Sequence, residues 1–459
     1  MKLLDDVVKQ MNKDFKKELC VKGINHVQLK RIPFTSPRLN YETYGGIPRG
    51  RITMFAGKES SGKSTTALDV IKNAQYTFRT EWEQEVGTLT QQQKFYQDII
   101  NDKSASKTKK EDAKKQLTPI NERLSYLQQR GILQIVYFDA EGTIDKDWAA
   151  RIGVDPDNLW LVQLHTQTAE QFLDQVMRVV RDADNVGLVV IDSIAVLVPQ
   201  IVHGESFEQK SMGGNAKVVT DFCNEVCPVL GEKDIACIII NQARDDFSNP
   251  YADFKIPCGN GLKLASSLIL TFQKGKPLDA EGNEQKNSYE TPQGNLVWVR
   301  IQKTKICKPD RRVGFYTLSY DYGVDVIADM IPMAVDMGVV EKSGSWFKII
   351  DITTGEYMTY EDGEIIKFQG QINLMNFLRE EPMALQRVQE MVMAKMTEKD
   401  IRVDAEKDRQ AIEDLKQEAL ESGVKLREPV KGKSAEQQEA EAQAAGIFVA
   451  PDEIPMEEN

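Results

Sequence analysis

Eight residues near the start of the chain carry the most specific chemical signal in the sequence. They read GKESSGKS over residues 57–64 and match the pattern G-x-x-x-x-G-K-[ST] at every fixed position. Glycines in such a loop let successive backbone N–H groups point at one anion, and the start of a following helix adds the positive end of its dipole. In this pattern the lysine, Lys63, reaches nucleotide phosphates, and the hydroxyl of Ser64 is a ligand of Mg²⁺. The predicted nucleotide-binding set is Gly57, Glu59, Ser60, Ser61, Gly62, Lys63, Ser64 and Thr65.

The residues on either side of this loop favour a P-loop over a bare glycine-rich turn. Residues 52–56 form an apolar, β-branched-rich run of strand length, and from Thr65 onward Leu68 and Ile71 fall on one face of a predicted helix. A strand before the loop and a helix after it are the context that a P-loop requires.

Three further apolar runs each end in polar residues that could do chemistry. Residues 133–138 lead to Asp139 and Glu141, residues 186–191 lead to Asp192, and residues 235–240 lead to Asn241 and Gln242. Helical patterns separate these runs, which predicts an α/β fold with a doubly wound, mainly parallel sheet. Their polar ends then meet at the ligand-binding edge of the sheet. There Asp192 suits a Walker B role in the Mg²⁺ shell, and Glu141 suits activation of a water molecule.

Composition bounds the class of protein. The chain has 459 residues, 41% of them hydrophobic, which allows two or three domains with proper cores. Its longest apolar runs are only strand-sized, and acids stand where a signal peptide needs bases, so we expect neither a membrane protein nor a secreted one. The six cysteines and three histidines show no zinc spacing, which favours free thiols in a reducing cytoplasm.

Charge is distributed unevenly. The net charge of −12 argues at first sight against a nucleic-acid partner. However, residues 397–459 hold 17 acidic and 9 basic side chains, whereas residues 1–51 hold 11 basic and 5 acidic ones. A basic head and an acidic tail are compatible with polyanion binding in which the tail competes, although solvated surface charge would give the same pattern.

The N-terminal segment and residues 79–131 are expected to be helical. Residues 3–19 form an amphipathic pattern that could dock on a neighbouring subunit or fold back on its own core. Residues 79–131 hold two apolar stripes that predict an antiparallel helical hairpin, with a break in the second arm at Pro119. Its lysine-rich tip could contact DNA or protein, or the hairpin could be a solvated structural insertion. The stripes are Trp82, Val86, Leu89, Gln93, Tyr96 and Ile100, and Ala113, Leu117, Ile120, Leu124 and Leu127.

From about residue 40 to residue 395 the chain resembles the RecA family of homologous-recombination ATPases, in a phage-type or divergent form. The resemblance is carried, in order, by GKESSGKST, FDAEGTIDKDWAARIGVD, VVIDSIAVLVP, INQAR, CGNGLKLASS, KTKICKP and VEKSGSWF. It implies a RecA-like P-loop NTPase core at residues 36–313 that contains the 79–131 insertion. Around this core it implies an N-terminal oligomerisation segment (1–35), a small α/β C-terminal domain (314–396) and an acidic, partly disordered tail (397–459).

The resemblance also implies a function. Such a protein uses ATP and Mg²⁺ to form a head-to-tail helical filament on single-stranded DNA. It then exchanges strands with homologous duplex DNA, and DNA stimulates its ATP hydrolysis. Partners would include single-strand-binding and loader proteins, and the location would be the cytoplasm, or a host cytoplasm for a phage protein.

Site roles follow from the same resemblance. Glu141 is similar to the catalytic glutamate, and Gln242 stands where the family senses the γ-phosphate. Trp148 matches an aromatic that stacks on adenine, with Asp145 as its polar companion; the less favoured alternative for Trp148 is a core or surface aromatic. Lys303 and Lys305 correspond to lysines that reach the ATP of a neighbouring subunit; the alternative is a pair of ordinary surface lysines.

Two loops, residues 201–212 and 243–258, should hold DNA. The candidate contacts are basic residues for phosphates and aromatic residues for bases. They are Lys210, Lys217, Arg244, Phe207, Phe247, Tyr251 and Phe254. The second loop is more acidic than the family pattern, with Asp245, Asp246 and Asp253, and Leu264 replaces a phenylalanine that usually couples subunits.

Two other functions share the P-loop. A RecA-fold ring helicase would translocate along DNA rather than exchange strands, and a regulatory assembly factor would use ATP only to oligomerise. Lys303, Lys305 and the N-terminal helix favour the filament over the ring. Glu141 argues against the assembly factor, because nucleotide binding alone needs no carboxylate to activate water.

Overall fold

The computed structural model describes residues 4–14, 29–164, 167–200, 214–243, 257, 259–279, 284–285, 291–360 and 362–396. The chain divides into two units, Met1–Met393 and Ala394–Asn459, and the features below lie in the first. The helices are α1 (Leu4–Asp14), α2 (Pro37–Glu42), α3 (Lys63–Asn101), α4 (Lys107–Arg130), α5 (Lys146–Ile152), α6 (Ala169–Asp182), α7 (Gly214–Lys233), α8 (Gly259–Ala265), α9 (Val326–Asp336) and α10 (Gln371–Glu380). Residues 382–393 of this unit are also helical.

Most strands belong to one large sheet. The strands are β1 (Arg31–Ile32), β2 (Ile47–Pro48), β3 (Ile52–Gly57), β4 (Gln134–Asp139), β5 (Leu159–Gln163), β6 (Val186–Asp192), β7 (Ala236–Gln242), β8 (Leu268–Leu278), β9 (Gly294–Thr304), β10 (Val313–Ser319), β11 (Gly323–Val324), β12 (Val340–Ser343), β13 (Trp346–Ile349) and β14 (Lys367–Gln369). Nine of them form a sheet in the order β11-β10-β9-β8-β3-β7-β6-β4-β5. The six strands from β8 to β5 are parallel, and β9, β10 and β11 are added antiparallel. The predicted α/β fold with a mainly parallel sheet is confirmed.

Helices cover both faces of this sheet. One buried cluster packs α3 and α5 on one face, and a second packs α6 and α7 on the other. Every residue of β3 and β6 is buried, as expected for parallel strands covered on both sides. The parallel register places Asp139 of β4 beside Asp192 of β6, so the carboxyl ends of the strands meet at one edge.

Helix α3 is unusually long because the P-loop helix continues without interruption into the predicted hairpin. It spans 39 residues, and α4 returns along it. The Trp82 indole donates to the Leu127 carbonyl over 3.1 Å, and Arg123 pairs with Glu85 at 2.7 Å. The expected break at Pro119 does not occur, because α4 runs through it with its apolar stripe packed on α3. Tertiary packing here outweighs the cost of about 3 kcal/mol for an interior proline.

The remaining elements flank the core. β12, β13 and β14 form a small antiparallel sheet followed by α10, while β10 and β11 belong to the large sheet, so the core sheet extends beyond the predicted boundary at residue 313. The predicted N-terminal helix is present as α1 and has no buried residue. Within the described ranges no helix is long and apolar enough to cross a membrane. The four cysteines found there, Cys223, Cys227, Cys237 and Cys307, are free thiols.

Candidate active site

The P-loop lies where β3 ends and α3 begins. Two of its glycines are required by the geometry. A Cβ on Gly57 would lie 2.5 Å from the Phe272 carbonyl oxygen, and Gly62, with φ of +94°, sits in the left-handed region directly before α3. Glu59, Ser60 and Ser64 are exposed, Thr65 is half-buried and Ser61 is buried. The loop therefore has the backbone curl that the sequence motif predicts, with its helix start open to an anion.

Lys63 is the buried cation of this loop. Its side chain is only 7% exposed, and its ammonium donates to the carbonyls of Gly57 at 3.0 Å and Lys58 at 2.6 Å. Burial lowers the pKa of Lys63, while the negative charges of Asp192, Glu141 and Glu59 oppose that change. A polyphosphate in the loop would add further negative charge beside the ammonium and so favour its charged form. Lys63 and the open helix start thus fit the phosphates of a nucleotide.

Asp192 connects the P-loop to the neighbouring strands. Its Oδ2 atom accepts hydrogen bonds from the Ser64 hydroxyl at 2.7 Å and from the Tyr137 hydroxyl at 2.6 Å. Burial raises the pKa of Asp192, and the two hydrogen bonds act against that rise. A carboxylate beside a hydroxyl supplies the hard oxygen ligands that Mg²⁺ prefers. Ser64 and Asp192 therefore fit the predicted metal site.

Glu141 lies on the turn after β4 and is held by residues from two other strands. Gln242, at the end of β7, donates from Nε2 to Glu141 Oε1 over 2.7 Å, and the Ser193 hydroxyl also donates to that oxygen. The turn itself is fixed by Asp139, whose carboxylate accepts the backbone N–H groups of Gly142 at 2.8 Å and Ile144 at 3.1 Å. Glu141 thus lies near Lys63 and Asp192, where its negative charge acts to raise the pKa of both groups.

Asp145 and Trp148 lie on α5, next to the turn that carries Glu141. Asp145 is the N-cap of α5, and its carboxylate accepts the backbone N–H groups of Asp147 at 2.9 Å and Trp148 at 3.1 Å. Trp148 is half-buried and packs against the core cluster on that face of the sheet. Helix capping accounts for Asp145, and an adenine contact by either residue stays a prediction.

Lys303 and Lys305 converge on the last turn of α8 and not on the P-loop of their own chain. Both ammonium groups donate to the Leu264 carbonyl, at 3.1 Å and 2.7 Å, and Lys303 also donates to the Lys263 carbonyl. Burial, followed by the charge of Lys305, lowers the pKa of Lys303. Lys303 lies on β9 and Lys305 directly after its end, and both hold the backbone of Leu264, whose side chain is exposed. A role at a neighbouring subunit's ATP remains a prediction.

Of the predicted DNA contacts, the structure describes only Lys217, which is exposed on α7. The others fall outside the described ranges. They are Lys210, Arg244, Phe207, Phe247, Tyr251 and Phe254.

Three residues of this site had no role assigned from the sequence. They are Tyr137, Asp139 and Ser193. Tyr137 could have been found because a phenol inside an otherwise apolar strand needs a hydrogen-bond partner when it is buried. Ser193 directly follows Asp192, and that adjacency is its only sequence signal.

The sheet and the loop together define a P-loop NTPase fold, with Asp192 hydrogen-bonded to Ser64 of the loop and Glu141 hydrogen-bonded to Gln242. A family model described as the RecA N-terminal domain matches residues 2–80 and 113–325, which is more than half of the chain. The chain therefore belongs to the RecA family.

Individual relatives are similar over most of their length. The chain is 29% identical over 354 residues to Protein RecA of Chlorobium chlorochromatii (strain CaD3), covering 77% of this chain and 78% of that protein. It is 28% identical over 398 residues to Protein RecA of Thermus aquaticus, covering 85% and 94%. Protein RecA of Bacteroides thetaiotaomicron is 27% identical over 364 residues, covering 78% and 89%.

Proposed function

We propose that this protein is an ATP-dependent recombinase that forms helical filaments on single-stranded DNA and exchanges strands with homologous duplex DNA. Membership of the RecA family and the nearly full-length similarity to proteins named RecA support this proposal. The single observation that carries its mechanism is the 2.7 Å hydrogen bond from Gln242 to Glu141.

That hydrogen bond joins the candidate catalytic carboxylate to the end of β7. The chain leaves β7 at Gln242 and enters residues 243–258, the second predicted DNA loop. A DNA strand held by this loop would shift Gln242, and with it the position of Glu141. Nucleotide hydrolysis would then depend on DNA, as the proposed function requires.

Each remaining residue of the site has a part in hydrolysis. The P-loop N–H groups and Lys63 would bind the phosphates, and Ser64 and Asp192 would hold Mg²⁺. Bound Mg²⁺ would neutralise charge that develops on the phosphate oxygens. Glu141 would orient the attacking water and accept its proton, while Ser193 and Gln242 keep the carboxylate in place. Tyr137 would fix the orientation of Asp192.

Assembly would complete the site. Lys303 and Lys305 would reach from one subunit to the nucleotide of the next, so ATP binding would stabilise a head-to-tail contact that does not close. Positive charge supplied across an interface would act as an arginine finger does. The filament would contact DNA mainly through its backbone, and base pairing would supply sequence specificity. Single-strand-binding and loader proteins would assist its assembly.

A strand-exchange assay with imaging of the same samples tests this proposal. Wild-type protein, ATP and Mg²⁺ should convert a circular single strand and a homologous linear duplex into joint molecules, and microscopy should show helical filaments. Lys63→Ala, which removes the phosphate-binding ammonium, is the control and should give neither product. Closed rings with duplex unwinding and no joint molecules would instead identify a translocating motor and overturn the proposal.

A further inference from the structure

The helical hairpin formed by α3 and α4 projects from the core as an arm. The last buried residue of α3 is Phe78. The remaining 23 residues of this helix, at about 1.5 Å each, extend roughly 35 Å beyond it. The arm leaves the core at the amino ends of the strands, where Arg49, just before β3, pairs with Glu81 at 2.9 Å. A Cβ on Gly187, at the start of β6, would lie 2.6 Å from the Phe78 ring.

The end of this arm lies far from the candidate active site. Because α3 begins at Lys63 and ends at Asn101, its axis places the hairpin end roughly 55 Å from the P-loop. The family model matches residues 2–80 and 113–325, so it leaves residues 81–112 unmatched. The P-loop and the acids at the ends of β4 and β6 all fall within the matched residues, whereas this segment lies outside them.

We define the lysine tip as residues 103–115, all of which the structure describes. It contains six lysines, two acidic residues and no large apolar side chain. Ala113 alone is buried, and five of the six lysines are exposed. Lys115 lies 3.9 Å from Asp112, and Asp102, just outside the tip, lies near Lys109 and Lys110. The lysine tip therefore presents a concentrated positive surface at the end of a rigid support, in a chain whose net charge is −12.

The lysines of the lysine tip do not stabilise the helical hairpin, so a purely structural role does not explain them. The first turn of α4 has no acidic residue, although acids stabilise a helix start and cations oppose its dipole. The contacts that join the two helices come from buried residues of α4, such as Leu124 and Leu127, together with the Arg123–Glu85 pair. The exposed lysines thus add little to hairpin packing and repel one another.

We propose that the lysine tip binds the phosphate backbone of DNA, at a place separate from the two predicted loops. Those loops come after β6 and β7 in the chain, and the carboxyl ends of these two strands lie at the opposite edge of the sheet from the base of the arm. A protein partner would need an apolar anchor, and the cores of protein interfaces are depleted in lysine. The lysine tip itself holds no large apolar side chain, and the exposed Phe95 lies outside it on α3. Lysines presented in this way match the sequence-independent electrostatics of phosphate binding. This inference rests on the proposed function only in assuming that the protein works on DNA.

Two matched variants test the lysine tip. In one, Lys103, Lys107, Lys109 and Lys114 are all changed to Gln, and in the other the same four are changed to Arg, which keeps the charge. Binding of each to labelled duplex and single-stranded oligonucleotides is followed by fluorescence anisotropy over a range of salt concentrations without nucleotide.

We expect the Gln variant to lose at least about tenfold in affinity, while the Arg variant binds as wild type does. The slope of log K against log salt is negative, and each lost phosphate contact should reduce its magnitude by about 0.9 for duplex or about 0.7 for a single strand. A loss confined to one oligonucleotide identifies the form of DNA that the lysine tip binds. If the Gln variant binds both oligonucleotides as wild type does, at every salt concentration, the inference is overturned.

Failure of this inference is distinguishable from failure of the proposed function. DNA-stimulated ATP hydrolysis, measured on the same proteins, depends on the site roughly 55 Å away along α3. Unchanged DNA affinity of the Gln variant together with normal stimulation would reject the lysine tip alone. If the Gln variant loses affinity for DNA but DNA does not stimulate ATP hydrolysis by wild type, the DNA-binding role of the lysine tip is supported and the recombinase proposal is rejected. Far-ultraviolet circular dichroism of the two variants establishes that the arm is folded in both.

Discussion

Asp329 offers a test of how burial controls charge in this fold. It lies on α9, is 1% exposed, and accepts a hydrogen bond from the Ser36 hydroxyl at the start of α2. The Arg38 Nε atom is 3.9 Å from its Oδ1 atom, and neither of those two atoms has a hydrogen-bond partner. Burial raises the pKa of Asp329 to about 6, and the hydrogen bond from Ser36 and the charge of Arg38 only partly oppose this rise.

The size and sign of the effect follow from linkage. The ordinary pKa of 3.8 rises to about 6 in the folded protein. That difference corresponds to about 3 kcal/mol of unfolding free energy. Because the folded protein holds this proton more tightly than the unfolded chain does, the contribution is fully present below about pH 4. It is lost as pH rises from about 4 to about 6.

Asp329→Asn is the perturbation that isolates this contribution, since the amide does not titrate. Urea unfolding of wild type and variant, followed by circular dichroism between pH 4 and pH 8, gives their difference in unfolding free energy. Wild type should lose about 3 kcal/mol relative to the variant as pH rises to about 6, and the difference should then stay constant. If wild type instead becomes more stable relative to the variant as pH rises, the Arg38 ion pair outweighs burial. If their relative unfolding free energy does not change with pH, the pKa of Asp329 is not raised.

Three further changes test other contacts. Tyr137→Phe removes one of two hydrogen bonds that orient Asp192. The Mg²⁺ concentration needed for half-maximal ATP binding should therefore rise about tenfold or more. A nucleotide-binding titration with an unchanged Mg²⁺ requirement would refute the positioning role of Tyr137. Gly187→Ala should lower the unfolding free energy by about 1–3 kcal/mol, because its Cβ would meet the buried Phe78 ring, and urea unfolding measures this. Lys305→Met should reduce DNA-dependent ATP hydrolysis at least about 100-fold while costing under about 1 kcal/mol of stability. Full hydrolysis by that variant would leave Lys305 as a cap of α8 only.

The sequence predicts the parts of the site that are local. The P-loop can be placed because its whole pattern lies within one strand, one loop and one helix. The acids at the strand ends can be placed because each directly follows an apolar run in the sequence. The contact between Gln242 and Glu141 joins residues 101 positions apart and depends on the order of strands in the sheet, which the residues alone do not determine. Tyr137 and Asp192 likewise meet only because β4 lies beside β6.

The arm shows a different limit of prediction. Its two apolar stripes predict the hairpin, but local signals do not reveal that the P-loop helix and the first helix of the hairpin are one continuous helix, α3. Gly87 lies inside this helix, exposed and with open space around it, and Pro119 lies inside α4. Both residues weaken a helix locally. The packing of α3 against α4 outweighs the effect of Gly87 and Pro119. This packing is a tertiary interaction, which local sequence signals do not show.

The most direct test of the central claim is ATP hydrolysis with and without single-stranded DNA, measured on wild type and Gln242→Ala. If the hydrogen bond to Glu141 couples DNA to the nucleotide, wild type should be strongly stimulated by DNA. The variant should then bind ATP normally but lose the stimulation. DNA-independent turnover by wild type, or full stimulation of Gln242→Ala, would contradict the coupling of DNA to the nucleotide through Glu141.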